Sequence, residues 1–100
     1  MHQKKDFEPH IGSTFVVSPQ KRDDRVVLEL SEIVDRSNPQ LDAYSLMFLG
    51  PKAQAFDQGI QQMEHGQMGS LSMFLTPILS PGLDADLVRY EAVFSRLKEP

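Results

Sequence analysis

Proline and glycine cut this chain into runs too short for an ordinary helical domain. Breaks fall at Gly12, Pro19, Pro39, Gly50-Pro51, Gly59, Gly66, Gly69, Pro77 and Pro81-Gly82, and the segments between them are rich in Val, Ile, Leu, Phe, Tyr and Thr. Glycine supplies backbone freedom at turns, and proline presets the turn dihedral while withdrawing a ladder donor. Short β-forming runs bounded by such residues predict strands and tight connections. At 100 residues the chain is domain-sized, long enough to bury roughly two-thirds of its unfolded surface in one core. The expected organisation is a single domain over 1–100, with about 1–10 and 98–100 fraying.

The apolar pattern has period two in most of these runs. Gly12-Ser13-Thr14-Phe15-Val16-Val17 reads as a first strand ended by Ser18-Pro19, and 20–24 as a polar turn. Across 25–35, Val26, Leu28 and Leu30 alternate with Val27, Glu29 and Ser31. The alternation then slips at Ile33, which predicts either cover on both faces or a β-bulge. After the turn Ser37-Asn38-Pro39-Gln40, Tyr44, Leu46 and Phe48 alternate with Ser45, Met47 and Leu49. Leu71, Met73 and Leu75 share a face in the run 70–76, with Phe74 and Ile78 opposite. Pro77 marks a strand end or an edge. Ser80-Pro81-Gly82 opens a loop through Asp84 and Asp86 to a last strand, about 88–97. There Val88, Tyr90, Ala92 and Phe94 face inward, and Val93 is out of phase.

One segment is ambiguous. Ala53, Phe56, Ile60 and Met63 recur at helical spacing, but Gly59 would sit inside that helix at a cost of roughly 1 kcal/mol relative to Ala. A turn over 53–58 followed by a strand over 59–65 fits better. The sum is an all-β fold, a small antiparallel meander of about six strands forming a barrel or a sandwich.

The composition excludes several chemistries. A hydrophobic fraction of 40% with 24% charged residues is that of a folded globular chain. Cysteine is absent, so there are no disulfides, thiolate nucleophiles or thiolate metal sites. A net charge of −4, with only Lys4-Lys5 and Lys21-Arg22 as basic clusters, argues against nucleic acid as a partner, since phosphate recognition needs a concentrated basic surface. No run approaches the ~18 apolar residues of a membrane span. The lysines near the start precede no apolar stretch, so no signal peptide is read and a cytoplasmic location, or one within an assembled particle, is expected.

No constellation reaches the requirements of a catalytic or metal site. His2, His10 and His65 lack the close spacing of a metal-binding pair. Glu64 and His65 are adjacent and should point to opposite faces of a strand, which leaves His65 as a strand-end residue bonding a loop. Asp84-Ala85-Asp86 resembles part of a calcium loop but lacks the further oxygen ligands. Ser13 and Ser70 follow glycine at strand starts without the second glycine of a nucleophile elbow. Gly59, Gly66 and Gly69 have no following helix to cradle a phosphate. Among the methionines, Met63 and Met73 are expected in the core and Met47 outward. Catalytic, cofactor and metal residues are therefore expected to be none.

Several stretches together resemble a known family. They are Phe7-Glu8-Pro9-His10-Ile11-Gly12-Ser13-Thr14-Phe15, Ser45-Leu46-Met47-Phe48-Leu49-Gly50-Pro51, Gln58-Gly59-Ile60 with Met63-Glu64-His65, the run from Gly69 through Pro77 to Ile78, and Arg89-Tyr90-Glu91-Ala92-Val93-Phe94. They are similar to an uncharacterised bacterial family of small proteins, a domain of unknown function. The sequence departs from it at Gln61-Gln62, where an aromatic–basic pair is more usual. The family carries no established activity to transfer. Its members are often found beside tail-fibre or collar-like proteins related to phage tails, an association rather than a mechanism.

Three functions are weighed. The first is a non-enzymatic interaction or assembly module, whose partner is another protein or a second copy. It would use a strand edge near Pro77 or the first strand, with outward Met47, Leu49, Phe74 or Val93. The second is a small-molecule-binding β-barrel, which needs an interior cavity. The third, an enzyme, would need Glu64, His65, Tyr90 or Glu91 to converge in one cleft.

Overall fold

The structure is a computed structural model that describes residues 3–19 and 23–98. Six strands are present: β1 (Thr14–Ser18), β2 (Val26–Asp35), β3 (Leu41–Pro51), β4 (Gly59–His65), β5 (Gly69–Ile78) and β6 (Leu87–Leu97). They close into an antiparallel barrel in the order β1-β2-β3-β6-β5-β4. The barrel is thus two three-stranded meanders, β1-β2-β3 and β4-β5-β6, laid edge to edge. β3 and β4 lie on opposite sides of the ring, so the connection 52–58 crosses one end of it. That connection holds a single 3-10 turn, Lys52–Gln54, and β4 begins at Gly59, as expected over the helical alternative.

Inward residues come from every strand. Phe15, Val17, Val26, Leu28, Leu30, Leu46, Phe48, Met63, Leu71, Met73, Leu75, Tyr90 and Ala92 belong to one continuous core. Gly50 also faces this interior, and a Cβ there would collide with the Leu28 side chain and meet the Tyr90 ring. Its missing side chain leaves interior space that the Leu28 and Tyr90 side chains occupy.

The slip at Ile33 is a β-bulge. Leu30 pairs with Phe48 and Glu32 with Met47, so Ser31 is the extra residue, and its hydroxyl donates to the Met47 carbonyl at 3.0 Å. The bulge reverses the side-chain parity. Leu30 and Ile33, three apart, therefore both contribute to the core, with Ile33 opposite the buried Leu46.

Two expectations need correction. Met47 is buried, at 7% exposure, rather than outward and free. β3 is flanked along its length by β2 and β6, and Arg36 spans its outer face, donating from Nε to Ser45 Oγ at 2.7 Å and from Nη2 to Glu91 at 3.0 Å. Both faces of β3 are thereby covered. The first ten residues, expected to fray, take regular form where described. Lys4–Phe7 form a short helix, α1, and Glu8–His10 a 3-10 turn. Phe7 is 1% exposed, 6.3 Å from Tyr44 and from Phe94 between ring centroids. Burying a phenyl ring contributes part of the free energy that orders this segment. His2, Lys21, Arg22 and the last two positions lie outside the described residues.

Candidate functional site

The barrel end beneath α1 brings together residues that the sequence keeps far apart. β4 ends at His65 beside the start of β1, and the turn before β1 delivers His10 and Ser13. Ser13 Oγ lies 2.9 Å from His65 Nε2 and 2.5 Å from the His10 carbonyl oxygen. The His10 ring meets His65 edge-on at 4.5 Å, and Phe15 covers another side at 4.4 Å. His65 Nδ1 accepts from the backbone N–H groups of Gln67 and Met68, at 3.1 and 3.2 Å.

Those donors assign the proton. Nδ1 accepts, so the neutral ring carries its hydrogen on Nε2 and donates it to Ser13 Oγ, which in turn donates to the His10 carbonyl. A serine nucleophile requires the opposite polarity, with a ring nitrogen receiving the hydroxyl proton. The Ser13–His65 pair therefore locks structure and does not activate Ser13. Burial first, and then His10, holds the His65 imidazole below its ordinary value. This matches the expectation of a strand-end histidine bonding a loop. The pairing with Ser13 was missed, because the contact spans 52 residues and no local spacing announces it.

Other candidates are dispersed. Glu64 is exposed on the outer face of β4, opposite the buried His65. Tyr90 lies toward the opposite barrel end, stacked on Phe56 at 4.4 Å and 9°, and its hydroxyl accepts the Phe56 N–H at 3.2 Å. Glu91 pairs with Arg36 outside the barrel. These four side chains do not converge. Asp84 bonds its own turn, accepting from the Asp86 N–H at 3.0 Å, and among the described residues no group of three or more His, Asp or Glu could hold a metal ion. Met63 and Met73 are in the core as expected.

Side chains fill the barrel interior. A cleft of about 920 Å3 lies outside it, between α1 and the β3–β6 pair, lined by Lys4, Glu8, Asp42, Tyr44, Phe94 and Arg96 among others. Ion pairs already use much of its charge: Lys4 with Asp35 at 3.2 Å, and Arg96 and Lys98 with Asp42 at 3.9 Å. Burial, followed by the Asp6 carboxylate, pushes the Tyr44 phenol up.

Two junctions of the barrel wall are short: β1 joins β4 only through 16–18 and 62–64, and the β5–β6 seam is as brief. β5 and β6 pair only through 76–78 and 89–91, whereas β5 pairs with β4 and β6 with β3 much further. Along 69–75 and 92–97 neither strand has a ladder partner on the seam side. Phe74, 51% exposed, and Val93, 61% exposed, flank the opening, and Ile60 stands opposite Phe74 on β4 with 55% exposed. The expectations of outward Phe74 and Val93 hold. Leu49 is half-buried. The expected edges are corrected: β1 pairs on both sides, with β2 and β4, and Pro77 lies inside the short paired stretch opposite Tyr90. Pro77 does mark the strand end, which follows one residue later.

These features define a small antiparallel β-barrel with a packed core, plugged at both ends and joined only briefly at β1–β4 and β5–β6. The chain belongs to the family described as a domain of unknown function (DUF6916), whose model matches residues 2–94. No curated protein and no solved structure gives a match. No described helix is long and apolar enough to cross a membrane.

Proposed function

We propose that this domain is a non-enzymatic interaction or assembly module, an accessory of a larger bacterial assembly of the phage-tail-fibre kind, and that it docks through the β5–β6 seam. The observation that carries this reading is the coincidence of unpaired strand edges with the exposed row Ile60, Phe74 and Val93. Natural sheets guard free edges with charge, proline or bulges. No charged residue occurs between Gln67 and Leu83, and the one proline of β5 lies where the strand is already paired. The β5 edge, left uncharged beside apolar side chains while β6 carries Arg96, suits strand addition by a partner protein or a second copy. The overall charge of −4 disfavours nucleic acid as that partner.

The small-molecule reading has less support. Its ligand would have to replace core side chains or use the outer cleft, whose charges are largely paired.

The test compares the wild-type chain with Phe74→Glu/Val93→Glu. Both side chains are exposed, so the fold should tolerate the change. Tagged protein is drawn from its native host, and its association state is followed by sedimentation across concentration. Loss of a stoichiometric partner or of self-association in the variant supports the reading, and a fibre- or collar-like partner supports its setting. Retention of the partner by the variant, or a wild-type chain that is alone and monomeric throughout, rejects the seam as a docking surface.

A further inference from the structure

The cluster of His10, Ser13 and His65 joins three pieces of chain: the N-terminal segment, the start of β1 and the β4–β5 turn. We infer that it is an acid-sensitive latch, in which protonation of His65 at Nδ1 releases the β4–β5 turn. This stands independently of the docking proposal.

The geometry leaves the added proton nowhere favourable to go. Nε2 already carries hydrogen toward Ser13 Oγ, so an incoming proton must take Nδ1. The Gln67 and Met68 N–H groups point at that atom; once it is a donor, three donors face one another and both turn hydrogen bonds are lost. A positive charge on His65 is further disfavoured by the His10 ring at 4.5 Å. Among the described residues no carboxylate faces the pair to compensate. Glu64 lies on the outer face of β4, Glu8 is exposed on the turn that carries His10, and Glu29, opposite Thr14, is exposed on β2. Phe15 and the turn residues Gly66, Gln67 and Met68 are uncharged.

Phe7 keeps its cover of Tyr44 and Phe94, whose rings stack at 5.1 Å and 19°, because Ser13 still receives the Nε2 hydrogen and ties the segment. The clasp at the start of the segment responds in a different range. The Ser37 backbone N–H, the Ser37 hydroxyl and Lys4 hold the Asp35 carboxyl down to about 2. The Asp35 carboxylate therefore keeps its charge while His65 titrates. Because the His65 value is lowered on folding, its contribution is complete above the ordinary 6.5 and is lost as pH falls through the lowered value.

Nuclear magnetic resonance of the full chain, from about pH 8 to about pH 4, tests this across the range in which histidine titrates. The Gln67 and Met68 amides should shift with the midpoint of the His65 ring. Overhauser contacts from Phe7 to Tyr44 and Phe94, and those between Phe56 and Tyr90, should persist through that step. His10→Gln should raise the His65 midpoint, and the persisting Phe56 contacts certify that variant's fold. Gln67 and Met68 amides that do not follow the His65 midpoint overturn the latch. So does simultaneous loss of the Phe56 contacts, which marks global unfolding, or a midpoint that His10→Gln leaves unchanged or lowers.

Discussion

Each end of the barrel is closed by one phenylalanine, and the two closures differ in kind. Phe56 arrives in the middle of the chain, on the connection that crosses from β3 to β4. It lies flat on Tyr90 and fixes its own backbone N–H to the Tyr90 hydroxyl. Phe7 arrives on a short segment tethered from one side only, by the bonds around Gly12 and Ser13 and by the ion pair of Lys4 with Asp35. Beside it sits a titratable pair, His10 and His65. Phe56 belongs to the link between the two meanders, so removing it acts on the whole barrel. The Phe7 segment can part from the barrel while the strands remain paired. A single packed core thus contains one closure that shares the global stability and one whose opening is local.

That contrast orders the expected effects. Phe56→Ala should cost the most, about 3–5 kcal/mol as for other buried phenylalanines, read as a lower denaturant midpoint for the whole barrel. Phe7→Ala should cost less, since its loss cannot exceed the free energy of docking the segment. Equal global losses for the two would break the comparison. Gly50→Ala should follow, at about 1–3 kcal/mol of overpacking, because the added methyl meets Leu28 and the Tyr90 ring. Chemical denaturation should show it as a shift in midpoint with an unchanged slope.

Tyr90→Phe keeps the ring stack and removes the acceptor of the Phe56 N–H. It should cost about 1–2 kcal/mol for the orphaned donor, with faster hydrogen exchange at the Phe56 amide and little change at Gln67 or Met68. The smallest effect belongs to the other end. Asp35 contributes stability above its ordinary 3.8 that disappears as pH falls toward about 2. Its carboxylate is exposed and screened, so Asp35→Asn should only flatten the acid limb of the stability curve in that window. A visible effect of this variant above pH 6 would contradict the assignment.

Much of the architecture was legible because alternation and turn chemistry act locally. Val26, Leu28 and Leu30, and likewise Leu71, Met73 and Leu75, point inward as their spacing predicts. The slip at Ile33 announced the bulge at Ser31, since a parity change within one strand has few other causes. Met47 was misread because period two reports which face a residue takes and not whether that face is covered. Its cover comes from strands on both sides and from the Arg36 bridge to Glu91. Phe7 was misread because a lone phenylalanine in a polar terminal stretch carries no periodicity.

The sequence by itself determined the class, a six-stranded antiparallel fold, because each turn and each strand is encoded by neighbouring residues. Tertiary structure alone decided that the sheet closes as a barrel, that β3 lies beside β6 rather than β4, and that β5 and β6 meet only briefly. It alone also set Ser13 against His65. These are pairings between residues distant along the chain, chosen by which buried faces and side-chain volumes fit one another, and no local pattern records that choice.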